Sequence, residues 1–152
     1  MPRAGIAARS PPFRLTAPVP PEDDLHAAVA EALDRLLMPP ARWTTFPAGH
    51  VPLPARYAVK LLRLGLKRNW PDIIVLHRNI YGIELKRPGE RLSIARWIVN
   101  RRTGARRYVE GQREEFPRLE AAGMRIAVCE TVVGVLDALA AWQVPLRGRV
   151  AA

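Results

Sequence analysis

Two apolar runs, WPDIIVLH at 70–77 and IYGIELK at 80–86, are separated only by Arg78 and Asn79. So short a break joins antiparallel neighbours, because a parallel pair needs a crossover of a dozen residues or more. The runs are rich in β-branched and aromatic residues, which suit a pleated, half-buried surface. Strand side chains alternate between faces. Tyr81, Ile83 and Leu85 therefore share one face, fit to pack against helices, and Glu84 and Lys86 share the other. A three-residue loop at Arg78-Asn79-Ile80 pairs His77 with Tyr81, Ile74 with Glu84 and Asp72 with Lys86. Asp72, Glu84 and Lys86 then project from one face. A two-residue loop sets Asp72 opposite Leu85 and scatters them. The pattern thus predicts an odd loop or a bulge.

Two carboxylates and a lysine at the mouth of a hairpin are the minimum for a metal-assisted phosphodiester cut. Magnesium takes oxygen ligands in octahedral geometry and keeps several waters. Asp72 and Glu84 supply two carboxylates, and the main-chain carbonyl of Leu85 a third oxygen. Mg2+ or Mn2+ is the expected cofactor. Lys86 either orients the attacking water, deprotonates it, or neutralises the developing charge. The plain alternative is a cross-strand ion pair on a solvated face.

Charge points the same way. The chain has 24 Lys+Arg against 14 Asp+Glu, a net +10, and the excess is mostly arginine. Arginine's planar fork suits phosphate. Nucleic acid is the expected partner. An anionic membrane surface is not, since no basic amphipathic helix stands out. One cysteine, Cys129, excludes a disulfide framework and a Cys-rich zinc site, and its apolar neighbours mark it as a small buried residue. No apolar run approaches the length of a membrane span, and no secretory h-region is visible, so a cytoplasmic location is expected.

The chain of 152 residues fits one domain at 22–152 after a Pro/Arg-rich arm at 1–21. Helical spacing of Leu25, Val29, Ala32, Leu33 and Leu36 predicts a helix over 22–38, stopped by Pro39-Pro40. By helical phase Glu22 faces inward and Glu31 outward. A short strand at Trp43–Phe46, a PAGH loop carrying His50 and a helix over 55–64 follow. Residues 93–110 read as a second hairpin turning at NRRTGARR. Residues 112–122 read as a helix despite Pro117, 124–130 as a strand and 132–142 as a last helix. The order implies an α/β fold: a mixed central β-sheet flanked by helices, with an inserted basic β-hairpin.

This ordered set of motifs resembles the VRR-Nuc branch of the PD-(D/E)xK nucleases. The matching pieces are E-x-x-L-H at 22–26, G-x-x-x-x-W-P-D-I-I-V-L at 65–76, G-I-E-L-K-R-P-G-E-R-L-S at 82–93 and G-Q-R at 111–113. The A-G-M-R-I-A-V-C stretch and a final helix ending near Trp142 complete it. The likeness covers 22–147. It implies a restriction-endonuclease-like core, with Asp72, Glu84 and Lys86 as the catalytic set. It also implies that Gln112 lies beside the lysine, and that Glu22 reaches the metal directly or through water. His26, one turn on, reads as an assistant or as a partly buried helix histidine. Small stand-alone members are often phage-linked and can act as dimers on branched DNA, which implies DNA repair or recombination and a possible homodimer. Asn69 departs from the pattern, standing where relatives commonly have glycine. The 93–110 insertion also separates Gln112 from the E-x-K strand more widely than in many relatives.

The second hairpin carries Arg96, Arg101, Arg102, Arg106 and Arg107, interleaved with Trp97 and Tyr108. A basic β-ribbon grips phosphates or enters a groove, with its apolar residues expected to anchor it to the body. Lys67, Arg68, Arg87 and Arg91 extend the track. Trp43, Trp70, Trp97 and Trp142 read as core or interface residues, Trp97 being also able to stack a base. The expected function is a Mg2+-dependent, structure-specific DNA endonuclease. Two other readings stay open: a non-catalytic nucleic-acid-binding protein of the same fold, and a sequence-specific restriction-type enzyme.

Overall fold

A computed structural model describes residues 21–46 and 54–148. The expectations for the arm before Pro21, for the PAGH loop with His50 and for the last four residues lie outside them. In chain order the elements are α1 (Glu22–Leu36), β1 (Arg42–Thr45), α2 (Ala55–Arg63), β2 (Ile73–His77) and β3 (Asn79–Leu85). They continue with β4 (Arg96–Val99), β5 (Arg106–Val109), α3 (Gln112–Ala121), β6 (Met124–Cys129) and α4 (Val132–Ala141). Acids at Glu22, Asp23 and Asp24 complement the dipole at the start of α1. Leu37 returns to extended backbone ahead of the two prolines. Among the described residues no helix is long and apolar enough to cross a membrane.

The main sheet has the order β1-β2-β3-β6. β1–β2 and β2–β3 are antiparallel, and β3–β6 is parallel. The sheet is therefore mixed, and the parallel pair needs the long crossover that β4, β5 and α3 supply. One face carries Ile73, Val75, Tyr81, Ile83 and Leu85, buried against Val29 and Leu33 of α1 and Val135 and Leu139 of α4. On the other face Phe116 and Leu119 of α3 cluster with Met124, Ile74 and Trp70. Cys129 is buried, as its apolar neighbours predict.

The β2–β3 turn differs from the expected three-residue loop. His77 pairs with Asn79, leaving Arg78 alone at the reversal, with φ 58°. A non-glycine residue in the left-handed region is uncommon, and nothing in Arg-Asn-Ile advertises it. Val75 now faces Tyr81 and Ile73 faces Ile83. Continued one step, this register sets Asp72 level with Glu84, not with Lys86. The shift is by two residues, and because side chains alternate with period two, every face assignment survives it.

Gly82 fixes how Asp72 enters the sheet. A Cβ on Gly82 would stand 2.5 Å from Cγ of Pro71, a fully buried ring, and 3.0 Å from the sulfur of Met124. Glycine here lets the proline lie flat on β3 and delivers the next residue, Asp72, to the strand's mouth. Gly82→Ala is expected to cost about 2 kcal/mol through overpacking. A thermal melt should show the midpoint lowered by several degrees, and an unchanged midpoint would mean that Pro71 moves aside freely.

β4 and β5 form a separate two-stranded sheet. Its apolar residues do not anchor it to the body as expected: Trp97 is 59% exposed and Tyr108 52%, and Ile98 and Val99 are exposed too. The register explains this. Trp97 faces Tyr108 and Val99 faces Arg106, while Arg96 faces Val109 and Ile98 faces Arg107. Both faces thus mix apolar side chains with arginine, and neither is apolar enough to bury. Trp97 is accordingly not a core residue, whereas Trp43 and Trp142 pack against the main core.

Candidate active site

Asp72, Glu84 and Lys86 are the buried charged residues among those described, at 7%, 1% and 9% exposure. All three come from the rim where β2 begins and β3 ends, on the sheet face that α3 covers. Asp72 accepts the main-chain N–H of Leu85 on Oδ2 at 2.7 Å. Its own carbonyl accepts from Phe46 N at 2.7 Å and from Thr45 Oγ1 at 3.2 Å. Lys86 Nζ stands 2.7 Å from Glu84 Oε1. Gln112 Nε2 donates to that same oxygen. The other oxygen, Oε2, is buried without a hydrogen-bond partner.

Electrostatics follow from that crowding. Burial, and then the neighbouring Asp72 charge, push the Glu84 carboxyl up from 4.5 to about 7, against the pull of Lys86 and Gln112. For Lys86 burial alone would favour the neutral amine. The hydrogen bond and charge of Glu84, with Asp72 behind it, outweigh burial and raise its pKa. The lysine therefore stays an ammonium, and the carboxylates stand under mutual repulsion that a cation would relieve.

Gln112 reaches Glu84 through a second tight approach. A Cβ on Gly111 would fall 2.3 Å from the carbonyl oxygen of Ser93. Glycine at the N-cap of α3 therefore lets the chain at Ser93 and Ile94 pass directly against the helix start. Ser93 and Gln112 then clamp each other: Gln112 N donates to Ser93 Oγ at 3.0 Å, and Ser93 N donates to Gln112 Oε1 at 3.3 Å. Glu114 accepts from Gly111 N at 2.9 Å, satisfying another free donor at that end. Asn69 takes φ 63°, the left-handed conformation that glycine would take, and asparagine tolerates it. Its side chain donates to Glu110 O at 2.8 Å, tying the entry of β2 to the end of β5.

Glu22 opens α1 and stands near the end of β3. Its helix packs on the opposite face of the sheet from Glu84. Glu22 lines a hollow of about 450 Å3 with Arg87, Pro88, Glu130 and Thr131, just past the ends of β3 and β6. Among the described residues no three His, Cys, Asp or Glu side chains are gathered as a metal site. His26 of the same helix is linked to the site indirectly, its Nε2 2.9 Å from Thr45 Oγ1, which bonds the Asp72 carbonyl. Glu31 is exposed and pairs with Arg35 at 2.6 Å. The basic residues at 67, 68, 87, 91, 96, 101, 102, 106 and 107 are all exposed.

The donor set suits a hard divalent cation. Two carboxylates from the same face stand together, one with an unpartnered buried oxygen. The N–H and C=O of one strand residue point to the same side. The Leu85 N–H points to Asp72, so the Leu85 carbonyl does also. Two side-chain ligands plus a carbonyl match how magnesium is held when waters and substrate phosphates complete its shell. Of the residues singled out in the sequence, Asp72, Glu84, Lys86 and Gln112 are brought together here. Thr45 was not singled out, and Gly82, Ser93 and Gly111 stood in the quoted motifs without a positioning role; of these, the mid-strand glycine was the readable signal of a close approach. Comparisons of the chain with protein-family models, with curated proteins and with solved structures find no match.

Proposed function

We propose that this chain is a divalent-metal-dependent endonuclease with a restriction-endonuclease-like core, hydrolysing phosphodiester bonds in branched, nicked or otherwise structured DNA. The observation that carries the reading is the buried Asp72–Glu84 pair, with one free carboxylate oxygen and Lys86 Nζ 2.7 Å from the other. Burying two carboxylates together is costly, and a bound cation would offset that cost. The net charge of +10 and the exposed arginines on the second hairpin supply attraction for a polyanion.

Asp72, Glu84 and the Leu85 carbonyl would hold Mg2+ or Mn2+. When bound, such an ion stabilises charge on a phosphate and lowers the pKa of a coordinated water. Lys86, kept protonated by its carboxylate neighbours, acts as a donor and fixed positive charge toward the phosphate and the attacking water, and not as the base. Gln112 holds Glu84 and fills the space beside the lysine. Glu22, near the end of β3, would reach the metal directly or through water. Arg87, Arg91, Lys67 and Arg68 guide the backbone toward the site. A homodimer would bring two sites to one branched substrate.

Cleavage of nicked, flap, four-way-junction and intact duplex DNA, with Mg2+ or Mn2+ against EDTA, tests this reading. The expected result is metal-dependent cutting, strongest on a structured substrate. Tight binding with no cutting in either metal would replace the nuclease with a binding protein. Cutting confined to one sequence on intact duplex would make it a restriction-type enzyme.

A further inference from the structure

The β4–β5 hairpin is the part of the molecule whose construction the site does not explain. It makes no shared sheet with the body, and a two-stranded hairpin alone is marginally stable in water. Yet it exposes two aromatic rings side by side. Trp97 and Tyr108 are paired across the strands with centroids 5.4 Å apart and planes at 60°. Arg106 lies 5.7 Å from the Trp97 ring centre. The turn beyond them is held by Asn100, whose side chain accepts from Arg102 N at 2.9 Å and Thr103 N at 3.2 Å, so Arg101 and Arg102 are presented on an ordered tip.

We propose that the Trp97–Tyr108 face is a stacking platform for unpaired bases, holding a single-stranded stretch of nucleic acid beside the acidic site. This rests on the nucleic-acid reading of that site and specifies its substrate: DNA with an unpaired segment next to the cut. Charge selects this occupant. From Ile94 to Val109 the chain has five arginines and no acid. A second copy docking here through a two-fold axis would set that charge against itself. A nucleic acid answers both features at once, with bases for the rings and phosphates for the arginines. Bases within a duplex already stack on one another, so only unpaired ones can use the rings.

Position supports the assignment. The two legs of the hairpin close where Gly111 meets Ser93, and Gln112, the next residue, bonds both Ser93 and Glu84. Four extended residues from Ser93 to Trp97 span at most about 14 Å. A strand on the platform is therefore a few nucleotides from Glu84.

The test is the affinity of the full chain, in EDTA, for a labelled oligothymidine and for a blunt duplex of equal length. The Trp97→Ala/Tyr108→Ala protein is expected to lose about five- to a hundredfold on the single strand and to stay within twofold on the duplex. Its salt dependence should stay unchanged. Trp97→Phe/Tyr108→Phe should keep most of the single-strand affinity, which separates lost stacking from a hairpin that no longer forms. Equal losses on both DNAs, or no loss on the single strand, overturn the platform. So does a change of sedimentation from dimer to monomer with single-strand affinity intact, which would make a second copy the occupant. Because no cleavage is read, a platform that fails while the wild type still cuts is distinct from a nuclease reading that fails while single-strand binding persists.

Discussion

Replacing Lys86 with alanine is expected to slow metal-dependent cleavage about a hundred- to a thousandfold while DNA affinity changes little. The lysine is 9% exposed and contributes its charge inside the site, not on the path of the DNA backbone. A preorganised donor aimed at developing charge in a desolvated site typically contributes that much. Lys86→Arg is expected not to restore the rate. The larger planar guanidinium does not fit where an ammonium sits 2.7 Å from Glu84 and beside Gln112. Single-turnover rates and filter binding on the same nicked duplex read the two quantities separately. A loss of binding equal to the loss of rate would turn Lys86 into a backbone contact.

The second large effect is on stability. The Glu84 carboxyl stands at about 7 in the folded protein against 4.5 ordinarily. Below about pH 4.5 folded and unfolded chains both hold this proton, and Glu84's contribution is whole. As pH rises, the unfolded chain gives the proton up first. Stability is then lost until the folded carboxyl also ionises near pH 7. The shift corresponds to about 3 kcal/mol between pH 4.5 and 8. Glu84→Gln removes the titration, so urea unfolding of wild type and variant should diverge by about that amount from pH 5 to pH 8. The wild type should be the one that declines. Mg2+ should recover part of the decline, since a cation favours the carboxylate. Parallel curves would show that Glu84 ionises normally.

What the sequence made legible follows from what is local. Alternation in IYGIELK placed Tyr81, Ile83 and Leu85 in the core and Glu84 and Lys86 on the opposite face. That assignment tolerated an error of two residues in register, because only parity matters to it. The turn itself was not legible, since Arg78 gives no sign that it will take a left-handed φ. The resemblance put Gln112 beside the lysine, and both side chains meet the same oxygen of Glu84. The β4–β5 strands were readable from their flanking turn, but their docking was not. Apolar residues dealt equally to both faces make strands without making a core.

In the proposed function Asp72 and Glu84 hold a divalent cation. Titration of the protein with Mn2+, read by the signal of the free ion, tests it with Asp72→Asn as the control. Asparagine can still accept the Leu85 N–H, so the fold is expected to survive while one ligand charge disappears. The wild type should bind one Mn2+ per chain saturably, and the variant should bind at least tenfold more weakly. Identical titrations for the two proteins would contradict the assignment and leave the buried pair as a structural feature of the sheet.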